Sequence, residues 1–201
     1  TDLALDTRLD DEQREYLSMV KSSANALLGI INDILDFSKI EAGKLDFERI
    51  DFSLRDCVAM AVRTLQQRAD EKGLQLTAQV APSVPDSLVG DPHRLRQVLI
   101  NLVANGIKFT HQGEVRAIVE PAQPASNGTS IQLAFSVHDT GVGIPAEKQG
   151  LIFDAFAQAD TSTTRRYGGT GLGLAISAQL VRAMGGKISV KSTHGAGSIF
   201  H

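Results

Sequence analysis

Between Gly168 and Gly173 the chain reads Gly-Gly-Thr-Gly-Leu-Gly, and the apolar run Leu174-Ala175-Ile176 follows at once. Glycine at this density has no side chains to bury and admits backbone conformations that other residues avoid, so this stretch reads as a loop. A helix beginning directly after it leaves its first N–H groups without partners, next to the positive end of its dipole. That combination makes an anion site, to which Thr170 adds a hydroxyl donor. The spacing is neither the phosphate loop Gly-x-x-x-x-Gly-Lys-Ser/Thr nor the dinucleotide fingerprint.

Two further segments carry chemistry. Asp91 reads as the cap of a helix with Pro92 at its first position, running to Phe109. Leu95, Val98, Leu99, Leu102, Val103 and Ile107 form its core face, while Asn101, Asn105 and Lys108 share another. Asparagine is a poor helix former, so two of them mid-helix ask for a reason. They are either solvated surface residues or ligands, since a carboxamide oxygen suits Mg²⁺ that keeps waters and nucleotide phosphates as its other ligands. Lys108 would add charge for phosphate. Next, Asp139 ends an apolar strand before a turn containing Gly141 and Gly143. It either caps a structural turn or accepts a hydrogen bond from an exocyclic amine such as adenine's, with Ile144 and Pro145 as an apolar wall. Asp-Thr-Gly also occurs in aspartic proteases, but that chemistry needs two such turns and the chain has one. In this order the three segments describe an ATP pocket.

The remaining sequence supplies a scaffold. From about residue 10 to 45 the chain reads as one helix: Leu17, Ala24, Ile31 and Ser38 recur every seven residues, with Val20, Leu27 and Ile34 between them. Asp10 or Asp11 is the expected cap and Gly43 the stop. The stripe fits either an ordinary amphipathic helix or a dimerisation hairpin, and the regular repeat favours the hairpin. Thr1 to Thr7 reads as a scrap of helix. Helices are expected over Ser53–Lys72 and Thr170–Met184, and strands over Leu45–Phe52, Leu74–Val80, Glu114–Val119, Ile131–Val137 and Lys187–Ser192. Pro82, Pro85, Gly90 and Pro92 mark a loop, and Pro121–Ser130 another. Adjacent strands mixed with helices predict a two-layer α/β sandwich, a mixed sheet covered by helices on one face, preceded by a long bundle or coiled-coil helix. Phe153 to Tyr167 combines the anchors Phe153 and Phe156 with a polar tail ending in Arg165, Arg166 and Tyr167. It suits either a lid whose arginines reach phosphate or a plain surface loop.

Composition narrows the function. Lys and Arg number 20 against 23 Asp and Glu, so no basic face for nucleic acid is indicated. The single cysteine, Cys57, excludes an internal disulfide and fits a reducing, cytoplasmic setting. No apolar run reaches the roughly 20 residues of a membrane span, so any membrane attachment, expected at the cytoplasmic side of a bacterial inner membrane, would lie in segments outside this chain. The start at Thr1 and end at His201 suggest a piece of a longer protein.

These segments resemble the ordered boxes of sensor histidine kinases: the Asn helix, Asp139-Thr140-Gly141-Val142-Gly143-Ile144, Phe153-Asp154-Ala155-Phe156, and Gly169-Thr170-Gly171-Leu172-Gly173-Leu174. Their ATP domain has the Bergerat-type fold shared with gyrase, the heat-shock chaperone ATPase and the mismatch-repair ATPase. The resemblance covers nearly the whole chain. It implies a partial dimerisation and phosphoacceptor hairpin over 1–45, including the hybrid-type stretch Asp36-Phe37-Ser38-Lys39-Ile40-Glu41-Ala42-Gly43, and an ATP-binding catalytic domain over 46–201. By the same resemblance Asn105 would hold Mg²⁺ with Asn101 nearby, Lys108 would contact phosphate, and Asp139 would bind the adenine amine on the turn shaped by Gly141, Gly143 and Ile144. Phe156, Arg165, Arg166 and Tyr167 would belong to the lid. Gly169, Thr170, Gly171, Leu172 and Gly173 would sit at the phosphates.

The implied activity is transfer of the ATP γ-phosphoryl to a histidine for relay to an aspartate of a response-regulator receiver domain. The implied partners are ATP or ADP, that receiver, and a second copy through the hairpin. One position favours transfer over hydrolysis: hydrolysing relatives carry a Glu one turn before the metal Asn as general base, and this chain has Asn101, which cannot take a proton. Two departures qualify the resemblance. The family usually has Gly before the metal Asn and Ala after it, whereas Ala104 and Gly106 stand here in reverse. None of His93, His111, His138, His194 or His201 has the context of a phosphoacceptor. The fragment is therefore expected to have no catalytic acceptor of its own and not to autophosphorylate. The rivals are a hydrolytic ATPase of the same superfamily and a non-catalytic interaction module with a degenerate nucleotide site.

Overall fold

The computed structural model describes residues 1–122, 131–155 and 171–201. The chain divides into two compact units, Thr1–Leu45 and Asp46–His201.

In the first unit a short helix α1 (Asp2–Leu5) precedes α2 (Asp11–Glu41), 31 residues long. Asp10 caps α2 through a reciprocal box: its carboxylate accepts from the Gln13 N–H at 2.8 Å, and the Gln13 side chain accepts from the Asp10 N–H. Gly43 ends it at φ 63°. At 1.5 Å per residue α2 is about 46 Å long, and none of its residues is buried. The heptad positions Val20, Leu27, Ile31 and Ile34 lie exposed along it.

The second unit is the expected two-layer sandwich. Ser53 closes β1 (Ile50–Ser53) and caps α3 (Leu54–Glu71) by accepting from the Asp56 N–H at 3.1 Å. Then follow β2 (Gln75–Val80), β3 (Ser87–Gly90) and α4 (Pro92–Phe109), the last capped by Asp91 with Pro92 at its start. After β4 (Glu114–Pro121) and β5 (Leu133–Asp139) come α5 (Ala146–Gln149), α6 (Gly173–Ala183), β6 (Val190–Thr193) and β7 (Gly197–Phe200). The main sheet runs β2-β4-β5-β7-β6. Only β2–β4 is parallel, the arrangement that the helical crossover α4 permits. Val115, Ala117 and Val119 of β4 are buried against the helices, and Leu54, Val58, Ala61, Val84, Leu99 and Val119 form one core cluster. Cys57 is buried, as a small hydrophobe.

Several boundaries differ from expectation. The strand expected over Leu45–Phe52 is confined to Ile50–Ser53, because its partner β3 offers only four residues. That partner lies inside the Pro- and Gly-marked stretch expected to be wholly loop. The strand near Lys187 begins at Val190, and a C-terminal strand absent from the expectation, β7, pairs both β5 and β6. The helix expected from Thr170 begins at Gly173 within the described residues. Among them no helix is long and apolar enough to cross a membrane.

Candidate functional site

The end of β5 and the middle of α4 meet at one place. Register puts Val115, Asp139 and Ser198 side by side on the helix-covered face of the sheet. Asp139 is therefore drawn under α4 rather than into solvent. Burial raises its carboxyl pKa above the usual range, opposed by hydrogen bonds from the Gly141 N–H and from the backbone and hydroxyl of Ser198. The Gly141 N–H donates to Asp139 Oδ1 at 2.9 Å.

The turn that follows is pinned to the end of α4. The Val142 N–H donates to the Phe109 carbonyl at 3.2 Å. A Cβ on Gly141 would stand 2.5 Å from that same carbonyl oxygen, so only glycine fits. Gly143 has φ 67°, and a side chain there would strike the Thr193 carbonyl oxygen. Ile144 is half-buried and donates its N–H to Ser192 Oγ at 2.7 Å. Gln149 ties the far side of the turn to Ile144 O and Ser192 O at 2.9 and 2.8 Å.

Gly106, the residue in reverse of the expected pattern, now has a physical reason. A Cβ on it would lie 3.0 Å from Val115 Cγ1 and 3.5 Å from Asp139 Cβ. The missing methyl lets α4 approach β4 closely beside the carboxylate. Asn105, its neighbour, is half-buried and faces Asn101, with Nδ2 3.5 Å from Asn101 Oδ1. That is a weak contact. It leaves Asn105 Oδ1 as a neutral oxygen donor, suited to a cation whose other ligands are phosphates and water. Among the described residues no group of three or more His, Cys, Asp or Glu could hold a metal by itself, so a cation here would depend on its nucleotide. Asn101 is turned the other way: its Nδ2 donates to Ser177 Oγ on α6 at 2.8 Å. Lys108 is half-buried, its ammonium 4.9 Å from the Phe109 ring centroid, and burial lowers its pKa.

The loop residue Gly171 has φ 70°. Leu172 is a core side chain, 2% exposed, so only its backbone is available to a ligand. Gly173 opens α6, whose N-terminus has no side-chain cap. It lies directly on the Asn101 amide, where a Cβ would strike Oδ1. Phe153 stacks edge-on against Phe200 at 6.4 Å between centroids. Phe156, Arg165, Arg166, Tyr167, Gly169 and Thr170 lie outside the described residues. Sequence reading had missed Ser177, Ser192 and Ser198, whose importance arises from contacts with distant segments. The only local signal is a serine within the apolar face of α6, and it names no partner.

Residues 90–201 match the family model described as histidine kinase-, DNA gyrase B-, and HSP90-like ATPase. Residues 1–43 match the His Kinase A (phospho-acceptor) domain. Over its whole length the chain is 48% identical to the signal transduction histidine-protein kinase BarA of Escherichia coli K12, covering 22% of that protein. It is 44% identical to the sensory/regulatory protein RpfC of Xanthomonas campestris pv. campestris, covering 27% of it. The chain thus spans about a quarter of the length of these curated relatives. The crystal structure of full-length ShkA in complex with AMPPNP is similar with a TM-score of 0.80 and 33% identity, over 98% of this chain and 39% of that one.

Proposed function

Because the chain belongs to the histidine kinase-, DNA gyrase B- and HSP90-like ATPases, within them to the catalytic domain of hybrid sensor histidine kinases, we propose that it binds ATP with Mg²⁺ and directs the γ-phosphoryl to a histidine, for relay to a receiver-domain aspartate. The domain division at residues 45 and 46 is part of this proposal. The observation that carries the reading is the half-buried Asp139, anchored by Gly141 and Ser198 beside the Asn105–Gly106 turn of α4. Its carboxylate can accept from an exocyclic amine while its backbone stays in the sheet.

Asn105 would hold Mg²⁺, which supplies charge neutralisation at the phosphates. The desolvated Lys108 ammonium and the uncapped start of α6, with Gly171, Leu172 and Gly173 contributing backbone, receive the phosphate charge. Gly141, Gly143 and Ile144 shape the adenine end. Phe156, Arg165, Arg166, Tyr167, Gly169 and Thr170 complete the lid and phosphate loop in the proposal. Asn101 supports transfer over hydrolysis: it has no proton-accepting carboxylate, and its amide nitrogen is committed to Ser177. A phosphoacceptor in other parts of the protein, a second copy packing on the bare stripe of α2, and a cytoplasmic location belong to the same proposal.

Titration with a fluorescent ATP analogue, with and without Mg²⁺, tests it. Saturable binding strengthened by Mg²⁺ is expected, weakened at least tenfold in Asn105→Asp and Asp139→Ala with unchanged circular dichroism. Equal binding by parent and both variants would overturn the assignment, and steady phosphate release would favour a hydrolytic enzyme.

A further inference from the structure

The helices cover one face of the main sheet. On the other, the register lines up Arg116 of β4, His138 of β5, Ile199 of β7 and Lys191 of β6 in one row across four strands. A cavity of about 570 Å³ opens there, with all four among its lining residues. This is the size of a small-molecule site.

The row has a charge pattern of its own. Arg116 and Lys191 flank it, and the apolar Ile199 separates His138 from Lys191. Three inter-strand steps place the outer backbones about 14 Å apart, and both long side chains can lean inward. Arg116 is incompletely satisfied: its Nη2 reaches Glu114 Oε1 at only 3.4 Å, and its buried Nε has no hydrogen-bond partner. Glu114 also lines the cavity and opposes the two cations. The His138 pKa is lowered, first by burial and then by the charges of Arg116 and His201, against opposing effects of Glu114 and Asp139. His138 Nε2 lies 3.1 Å from Ser136 Oγ.

We propose that this open-face cavity binds a small organic dianion, with one anionic group at Arg116 and His138, an apolar body over Ile199, and the second anionic group at Lys191. A lone inorganic anion is too short to serve both ends. The four row residues lie on the opposite face of the sheet from Asn105 and α6, and the cavity meets the nucleotide site only at the strand ends, where Asp139, Thr140 and Ser198 also line it. Simultaneous occupancy with nucleotide is therefore part of the proposal.

The test uses the full 201-residue chain, following the His138 ring by NMR during titration with adipate, a six-carbon dicarboxylate, and with inorganic phosphate. Adipate is expected to shift the ring saturably and raise its pKa, because an added anion favours imidazolium. The shift should persist in saturating ADP. Arg116→Gln with Lys191→Gln should weaken adipate binding at least tenfold while ADP affinity stays within twofold, which also reports that the variant is folded. Phosphate should give only a shallow, non-saturating shift. A saturable phosphate response equal to adipate's, competition by ADP, an unshifted His138, or an adipate response retained in the double variant would each overturn the proposal.

Discussion

Asn101 and Ser177 tie α4 to α6 across 76 residues of sequence, amide nitrogen to hydroxyl oxygen at 2.8 Å. Ser177 is 2% exposed, so removing its hydroxyl leaves the half-buried Asn101 amide facing a buried position without that partner. Ser177→Ala should cost about 1–2 kcal/mol in urea unfolding. Gly173→Ala should also destabilise. The gain of about 1 kcal/mol in helix propensity is outweighed by a methyl driven into the held Asn101 carbonyl. Gly173→Ala should in addition weaken nucleotide binding if, as proposed, the N-terminus of that helix receives the phosphates. Melting at the parent temperature in both variants would contradict the tie.

Asp139 sets its proposed role in nucleotide binding against stability. Its pKa is raised in the folded state, so the fold binds a proton more tightly than the unfolded chain does. Stability therefore falls as pH rises from the ordinary aspartate range through the raised pKa, and the penalty is fully present at neutral pH. Asp139→Asn keeps the oxygen that accepts from the Gly141 N–H and removes the charge. It should unfold at equal or higher urea than the parent at pH 7, with the advantage shrinking toward acid, while ATP-analogue affinity drops at least tenfold. A variant less stable at pH 7 than at pH 4, relative to the parent, would reverse the sign argued here.

Lys72 closes the end of α4 from outside. Its ammonium donates to the carbonyls of Ile107, Lys108 and Thr110 at 2.7, 2.9 and 3.4 Å, covering the negative helix end. Lys72→Met keeps the aliphatic stem and loses these bonds, with an expected cost of about 1–2 kcal/mol. Amide exchange at the last turn of α4 should accelerate, and unchanged exchange there would count against the cap.

Gly106 admits the close packing of α4 on Val115. Gly106→Ala gains helix propensity yet crowds a fully buried, β-branched neighbour. A net loss of about 1 kcal/mol is expected in thermal unfolding, together with reduced nucleotide affinity through Asp139 Cβ, 3.5 Å from the new methyl. A net gain in stability would show that Val115 yields freely.

The long periodic elements were legible because their signals are local. Ser53, Asp91 and Asp10 are short polar residues ahead of apolar runs, and all three cap helices. The strand Ser87–Gly90 and the C-terminal strand Gly197–Phe200 were not legible. Each is four residues long and is strand only because a distant partner supplies the ladder. At the candidate site, Asn105, Asp139 and the glycines stood out as residue types that needed a reason. The positioning serines are ordinary residues until their partners arrive. From the sequence Gly106 is only one half of a reversed Ala–Gly pair, because the strand it packs against is not visible from the helix.

Asp139 is completed by β7, whose Gly197, at φ 95°, comes so close to the Asp139 carbonyl oxygen that any side chain would collide with it. The consequence is one of timing. A chain still emerging from the ribosome can finish α3, β2, α4 and β4 and still lack the clasp from Ser198. Nucleotide can then act as a late folding ligand only, recognising the domain once its closing strand has docked.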